Sequence, residues 1–395
     1  MAVRVGLEVM LDDVSSLLGK RVGLVCNHTA VDRDLRHAID RLVAAGVDLI
    51  RLFGPEHGVR ATAQDMITID EVRDPVSGLP VVSLYGTDVG SLHPRKAWLA
   101  DLDVVLFDIQ DIGARYYTFQ ATLGFVMQVA GPLGVRVVVL DRPNPIGGVS
   151  VEGNVVRQGF ESFVGAFPIP VRHGMTVGEL ALYFVRHCGV VCDVDVVPCE
   201  GWRRDMWFED TGLPWVYPSP NMPTVDAATV YPGTCLIEAT ELSEGRGTTR
   251  PFHLVGGPGL DPNRAVACCE HEAKKAGLQG VAFRPAAFIP GFQKHRGVPC
   301  TGVEVHVTDR KRMHSLLLGM VVTKALHDAD PARFRWRVAP YEFVADPPAI
   351  DLLTGSAEFR HVVEHDGDLR ELLAAWEPER LSFLQRRSEV LIYGD

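Results

Sequence analysis

The sequence predicts an α/β fold, in which a Rossmann-like, doubly wound and mainly parallel sheet precedes a smaller α+β C-terminal domain. Two observations predict this fold. Apolar runs rich in Val, Ile and Leu alternate with amphipathic stretches at the start of the chain, which is typical of parallel strands covered by helices on both faces. Beyond residue 223 this alternation stops, and we therefore predict two domains, a Rossmann-like catalytic domain at 1–223 and an α+β domain at 224–395 that closes a cleft.

The first domain contains five apolar runs that we predict as strands, because each is short and is bounded by turn residues or by a helical pattern. Apolar residues with helical spacing occupy 35–45, after the first run, and 118–130, after the fourth. The runs themselves lie at 21–26, 47–53, 80–85, 104–109 and 136–140.

A capping box predicts the next helix. Thr176 precedes an apolar run and is followed three residues later by Glu179, the spacing at which both side chains can bond the free backbone N–H groups of a helix start. We therefore predict one helix and one strand within 175–197. The segment 202–223, which is rich in Pro and Trp and shows little periodicity, ends the first domain.

The second domain mixes both periodicities without regular alternation. Helical spacing predicts helices at 263–275, 312–326 and 369–386, and short apolar runs predict strands at 281–283 and 303–307. These elements are typical of an α+β domain.

The formal net charge of −11 argues against nucleic acid or an anionic membrane as a partner, because binding phosphate-rich surfaces needs clustered Lys and Arg. None of the eight cysteines forms C-x-x-C, which favours reduced core thiols. Charges interrupt the first residues, so the sequence as given has no secretion signal, and no apolar run reaches the length of a membrane helix. The expected compartment is therefore the cytoplasm, unless an export leader has been removed.

Polar and aromatic side chains follow four of the predicted strands. In open α/β sheets ligands bind beyond the carboxyl ends of the strands, so these side chains are expected to meet at one edge. Turn residues such as Asp and Asn also occur there for backbone reasons alone. The candidates are Asn27, Glu56, His57, Gln110, Asp111, Arg115, Tyr116, Asp141, Arg142 and Asn144.

Glu56 is the strongest of these candidates. It lies between Pro55, which stiffens the loop, and Gly58, which lets the backbone approach a ligand closely. A carboxyl group that loses water at a sheet edge has its pKa raised, as general-acid catalysis requires. His57 is either its partner or an ordinary loop histidine.

A second group of candidates lies near and beyond the domain boundary. Glycines on both sides of Arg246 suggest a loop that closes on a ligand, although a solvated charged loop has the same composition. The segment 219–223 is stiffened by two prolines and could present Asn221. The remaining candidates of this group are Glu241, Glu244 and Thr248.

Several catalytic motifs are missing from the sequence. It contains no G-x-G-x-x-G, no P-loop and no G-x-S-x-G, which disfavours a dinucleotide enzyme, a nucleotide-sugar enzyme and a serine hydrolase. Residues 361–365 match H-x-x-E-H, so a zinc hydrolase using His361, Glu364 and His365 is an alternative function. Asp366 and Gly367 follow directly, which indicates a helix end instead of a continuous metal-binding helix.

Taken together, the strand-end motifs resemble those of one family, the exo-β-N-acetylmuramidases of the NamZ type, formerly the domain of unknown function DUF1343. The resemblance covers nearly the whole chain. The matching segments are GPEHG at 54–58, DIQDIGARYY at 108–117, DRPNP at 141–145, HGMT at 173–176, SPNMP at 219–223, SEGRGTT at 243–249 and the stretch 288–302.

The resemblance implies an active site in a cleft between a Rossmann-like domain and a smaller C-terminal domain. It implies hydrolytic release of N-acetylmuramic acid (MurNAc) from the non-reducing end of small peptidoglycan fragments such as MurNAc-GlcNAc, in cell-wall recycling, without a metal or a nucleotide. Glu56 is the catalytic residue that it implies. A non-catalytic muropeptide-binding protein on the same scaffold is the second alternative.

For a mechanism, we expect Glu56 to protonate the glycosidic oxygen. Most glycosidases use two carboxyl groups, and the sequence offers Asp111, Glu241 and Glu244 as the second, or the acetamido group of the substrate itself. Arg115 and Arg246 are expected to bind the lactyl carboxylate of MurNAc, since a guanidinium matches a carboxylate in bidentate geometry.

Overall fold

A computed structural model describes residues 2–56, 58–59, 72–86 and 88–394. Within these residues the larger sheet has seven strands. In chain order they are β1 (Val22–Cys26), β2 (Leu49–Gly54), β3 (Val72–Arg73), β4 (Pro80–Ser83), β5 (Val104–Asp108), β6 (Arg136–Leu140) and β7 (Val194–Val197).

The spatial order of the strands is β3-β4-β2-β1-β5-β6-β7, and all neighbours pair in parallel except β3, which runs antiparallel to β4 at the edge. Every residue of β1 and β5 is buried, which explains why these strands are continuously apolar in the sequence. The predicted α/β class with a mainly parallel sheet is confirmed.

Helices cover both faces of this sheet. Alternate strand residues point to opposite sides, so Leu24 and Leu106 belong to one apolar core while Val25 and Phe107 belong to the other. The predicted capping box forms as expected, with Thr176 accepting from the backbone of Glu179. The helices of this part are α1 (Gly6–Met10), α2 (Ala38–Ala44), α3 (Lys96–Leu99), α4 (Phe119–Ala130) and α5 (Val177–His187).

The second part of the chain contains a smaller antiparallel sheet with β10 (Cys300–Val307) between β8 (Leu254–Gly257) and β9 (Val281–Phe288). This confirms the predicted α+β character. Its helices are α6 (Val225–Thr234), α7 (Pro262–Ala276), α8 (Ser315–Ala329), α9 (Ala349–Thr354), α10 (Glu358–Glu364) and α11 (Leu369–Ser388).

The sequence does not predict α1, α3, α6, α9, β3 or β8, it indicates only the end of α10, and it predicts β9 and β10 too short. In α6 every residue except Asp226 is buried, so no polar face marks the helix. Helix α6 packs against α8 through Gly233 and Gly319, where backbones come so close that a Cβ on Gly319 would lie 1.9 Å from the Gly233 carbonyl oxygen. None of the described helices is both long and apolar enough to cross a membrane.

Candidate active site

A cleft of about 820 Å³ lies between the ends of β2 and β4 and the second part of the chain. On the sheet side it is lined by residues 54–56, by Val81, Ser83 and Tyr85, and by residues 116–119, which lead into α4. On the other side it is lined by residues around 238–252 and by residues 337–343. The cleft therefore brings together groups that are far apart in the sequence.

Glu56 lies on the sheet side of the cleft, directly after β2. A tight turn in which the Gly58 N–H donates to the Pro55 carbonyl at 2.9 Å holds its loop, and Gly58 has a φ of 77° that favours glycine. The Thr118 hydroxyl donates to Glu56 Oε2 at 3.0 Å, and Thr118 is the N-cap residue of α4. The carboxyl group therefore lies beside the start of a helix.

A second carboxyl group of the cleft, Glu342, was missed from the sequence. It occupies a two-residue hairpin turn in which Tyr341 and Val344 exchange both backbone hydrogen bonds, at 2.8 and 2.9 Å. The two central residues, Glu342 and Phe343, have φ values of 46° and 70°, a pattern usually taken by Asn and Gly. The Tyr85 hydroxyl donates to Glu342 Oε2 at 3.0 Å.

The electrostatics of the cleft favour the neutral form of Glu342. Burial raises its pKa to about 7, and the negative charges of Glu56 and Glu238 act in the same direction. The Tyr85 hydrogen bond and the Arg337 charge oppose this shift without cancelling it. Glu342 is thus a carboxyl group that holds its proton near neutral pH.

Four charged side chains form an ion-pair cluster in the wall of the cleft. Arg246 bonds to Glu238 and, through Nε at 2.7 Å, to Glu244, whose other oxygen is 2.8 Å from Lys294 Nζ. Burial favours the neutral acid, but the Lys294 and Arg246 charges outweigh it and lower the pKa of Glu244. The Tyr341 hydroxyl donates to Glu238 at 2.8 Å. The negative charges of the two glutamates balance the positive charges of Arg246 and Lys294, so this cluster has no net charge.

Arg337 lines the cleft on the same side as Glu342. Its guanidinium lies 5.3 Å from the ring centre of Tyr341, and Nη2 donates to the Pro340 carbonyl at 3.1 Å. No carboxylate of the described residues lies within ion-pair distance of it. Within the part of the chain that the structure describes, the positive charge of Arg337 therefore has no ion-pair partner.

Comparison with known proteins agrees with this architecture. The model of the family "Exo-beta-N-acetylmuramidase NamZ" matches the chain in two parts, its N-terminal part over residues 22–226 and its C-terminal part over residues 229–393. The chain belongs to the NamZ exo-β-N-acetylmuramidase family.

One relative in this family is the peptidoglycan beta-N-acetylmuramidase NamZ of Bacillus subtilis (strain 168), 40% identical over 393 residues that cover 99% of this chain and 91% of the relative. Two crystal structures of DUF1343 family proteins from Bacteroides fragilis NCTC 9343 are similar to the chain. One has a TM-score of 0.86 at 33% identity and covers 99% of both chains, and the other has a TM-score of 0.76 at 27% identity and covers 100% of both.

In this NamZ-family chain only some of the sequence candidates reach the cleft. Those that line it are Glu56, Tyr116, Asn221, Glu244 and Arg246. His57, the predicted partner of Glu56, lies outside the described residues.

The prediction that Arg115 faces the cleft is wrong. Its side chain is fully buried, and the guanidinium donates to the carbonyls of Asn154, Ile169 and Leu353 at 2.7–2.9 Å. Burial also lowers the pKa of Arg115 to about 10. A guanidinium committed to three backbone carbonyls holds segments of the chain together and cannot bind a substrate.

The predicted meeting of four strand ends in one pocket holds only in part, because segments that follow β2 and β5 line the cleft while those that follow β1 and β6 do not. The residues directly after β1, β5 and β6, among them Asn27, Ile109 and Asp141, are buried and lie outside the cleft. Asp141 accepts from the Thr176 hydroxyl at 2.7 Å and from the Tyr393 hydroxyl at 2.6 Å. Arg142 forms a buried ion pair with Asp108. These polar groups are satisfied by one another and lie outside the cleft.

The other candidates outside the cleft serve local backbone structure. The Asn27, Asp111 and Asn144 side chains accept backbone N–H groups two residues ahead. Gln110 donates to the carbonyls of Asp111 and Pro143. Thr248 donates to the Gly245 carbonyl, and Glu241 is exposed away from the cleft. Asp111 and Glu241 are therefore removed as second catalytic carboxyl groups on geometric grounds.

The alternative zinc site gains no geometric support. Helix α10 ends at Glu364, as the sequence indicates, and the Glu364 carboxylate accepts from Trp336 Nε1 at 2.9 Å and from Arg360 at 3.4 Å. The described residues contain no group of three or more His, Cys, Asp or Glu side chains placed to hold a metal ion.

Proposed function

We propose that this chain is an exo-acting glycoside hydrolase that releases MurNAc from the non-reducing end of small peptidoglycan fragments such as MurNAc-GlcNAc. One observation carries the proposal. Glu56 and Glu342 come from separate elements and line the same cleft, the arrangement that glycoside hydrolysis requires. Membership of the NamZ family supports it.

The size and lining of the cleft suit a short glycan. A volume of about 820 Å³ lies within the range typical of small-ligand sites. Tyr116 and Tyr117 both pack edge-on against Tyr231, with ring centres 5.7 and 5.6 Å apart, and form an aromatic wall. Aromatic faces offer apolar contact to a sugar ring while polar groups around them fix its orientation.

MurNAc differs from GlcNAc by a lactyl group that carries a carboxylate, so a selective site needs a positive charge that is not already neutralised. Arg246 is paired with two glutamates and Arg115 is buried elsewhere, so neither suits this role. Arg337 lines the cleft on the side of Glu342, and we propose it as the group that binds the lactyl carboxylate. Arg337 also lies close enough to Glu342 to lower its pKa. One sugar ring could therefore engage both residues.

In this proposal each of the two domains supplies part of the active site. Residues 1–223 supply Glu56 and the aromatic residues that lead into α4. Residues 224–395 close the cleft and supply Arg337 and Glu342. The reaction takes place where the two meet.

The direct test is incubation of the purified chain with MurNAc-GlcNAc and mass-spectrometric detection of free MurNAc. Glu56→Gln, which keeps the shape of the side chain, is expected to lose about 100-fold or more in turnover, because a carboxyl group of the reaction is replaced. The GlcNAc-GlcNAc disaccharide serves as the control substrate and is expected to remain intact. Binding of MurNAc-GlcNAc without release of MurNAc would instead indicate a muropeptide-binding protein.

A further inference from the structure

The backbone at Glu342 has an unusual conformation. Both central residues of the 341–344 hairpin turn have left-handed φ angles, although Glu and Phe disfavour this region and Asn or Gly would adopt it more easily. Such conformations are concentrated at functional sites, where the required position of a side chain outweighs the energetic cost of a strained backbone. The turn places the Glu342 carboxyl group in the cleft, bonded to Tyr85.

The groups that face Glu342 come from several elements. Tyr85 follows β4, Glu56 follows β2, Glu238 lies on the 3-10 helix Cys235–Ala239, and Arg337 precedes the hairpin. Two of these groups are acids and only one is a base. No Lys or Arg of the described residues forms an ion pair with Glu342. Its surroundings therefore favour the protonated carboxyl group.

Glu56 has a different setting. Its Oε2 accepts a hydrogen bond from Thr118, the N-cap residue of the 12-residue helix α4. The N-terminus of a helix carries partial positive charge, and this favours an ionised carboxylate beside it. The two acids of the cleft thus have different environments, and such a difference is how paired carboxyl groups divide acid and base roles.

We propose that Glu342 is the proton donor of the glycosidase reaction and that Glu56 acts as the ionised carboxylate. This assignment rests on the function proposed above. It gives to Glu342 the role of proton donor that the sequence analysis expected for Glu56. Glu342 gives its proton to the glycosidic oxygen as the bond between that oxygen and C1 breaks, and the leaving sugar departs as an alcohol. Water supplies the hydroxyl that C1 gains. Glu56 either takes the proton of that water or first forms an ester with C1 that water then hydrolyses.

Leaving groups of different acidity test the assignment. A dinitrophenyl glycoside of MurNAc needs no proton to depart, whereas the sugar alcohol leaving MurNAc-GlcNAc does. The kcat/KM of Glu342→Gln is therefore expected to fall about 100-fold or more on MurNAc-GlcNAc and less than about 10-fold on the dinitrophenyl glycoside. Glu56→Gln is expected to lose activity on both substrates. Glu371→Gln, an exposed change on α11, is the matched control.

The pH dependence provides a second measurement. The basic limb of kcat/KM on MurNAc-GlcNAc is expected near pH 7 in the wild-type protein, because the donor must be protonated. Tyr85→Phe removes a hydrogen bond that lowers the pKa of Glu342 and should move this limb to higher pH. Circular dichroism and thermal unfolding of each variant show whether it is folded.

Two results would overturn the assignment. The first is an equal loss by Glu342→Gln on both substrates, and the second is near wild-type turnover of MurNAc-GlcNAc by this variant. Failure of the proposed function looks different, because the wild-type protein would then release MurNAc from neither substrate.

Discussion

At the level of single residues, the arginines show what a sequence can and cannot reveal. Arg115 and Arg337 are chemically identical, yet one is enclosed by three carbonyls and the other faces the cleft without a carboxylate partner among the described residues. The difference depends on which segments of the chain surround each side chain. It is a property of the tertiary structure, and for this reason the sequence led to Arg115 and not to Arg337.

The first prediction concerns Arg337. Arg337→Gln is expected to raise KM for MurNAc glycosides at least about 10-fold, because a charge-assisted hydrogen bond to the lactyl carboxylate is lost. Steady-state kinetics on aryl glycosides of MurNAc and GlcNAc measure the change in discrimination. Arg333→Gln, an exposed change outside the cleft, is the control. An unchanged ratio of kcat/KM for the two sugars would remove Arg337 from this role.

At the level of elements, buried strands such as β1 and β5 were predictable and the hairpin that carries Glu342 was not. Strands β1 and β5 are buried on both faces, so they appear as uninterrupted apolar runs. The hairpin at 341–344 has the sequence Tyr-Glu-Phe-Val, which contains none of the Asn or Gly residues that mark a two-residue turn. A turn that departs from its usual chemistry leaves no local signal, and Glu342 was missed for that reason.

The second prediction follows from this hairpin. Glu342→Asn is expected to abolish turnover and to stabilise the fold by about 1 kcal/mol relative to Glu342→Gln, because Asn adopts a left-handed φ more readily. Both variants replace the carboxyl group by an amide, so their difference in stability reports on the backbone conformation. Urea unfolding at equal pH measures it. Equal stability of the two variants would mean that the turn stores no strain at this position.

At the level of the whole molecule, the end of the chain packs against the larger sheet. The Tyr393 hydroxyl donates to Asp141 at the end of β6, and the Ile392 N–H donates to Glu179 at the start of α5 at 2.9 Å. Segments that are far apart in sequence thus fill the edge of the sheet that the strand-end rule assigns to a ligand. The rule located the correct edge, but the cleft occupies only the end of that edge near β2 and β4.

The third prediction concerns this closure. Burial raises the pKa of Asp141 to about 6, against hydrogen bonds from Tyr393, Thr176 and Gly178 that lower it. Because the pKa is raised in the folded state, the contribution of Asp141 to stability is complete below about pH 4 and is lost as pH rises through 6. Tyr393→Phe removes the hydroxyl that donates to the ionised Asp141 carboxylate. This variant should therefore destabilise the fold by about 1–2 kcal/mol at pH 8 and by less at pH 5.

Urea unfolding at the two pH values measures this difference, and Tyr217→Phe, a change at a half-exposed tyrosine, is the control. KM for MurNAc glycosides is expected to stay at the wild-type value, since Tyr393 lies outside the cleft. Equal destabilisation of Tyr393→Phe at both pH values would show that Asp141 does not carry the effect.

The segment 337–343 has a consequence for how this scaffold can diversify. It carries the proposed anion-binding Arg337, the proposed proton donor Glu342 and the tyrosine between them, and it lies outside both sheets. Exchanging this short loop between homologues would therefore change the sugar selectivity and the pKa of the proton donor, while the strands that stabilise the fold remain unchanged. Chimaeras that graft this segment alone would be a compact route to hydrolases for other acidic sugars.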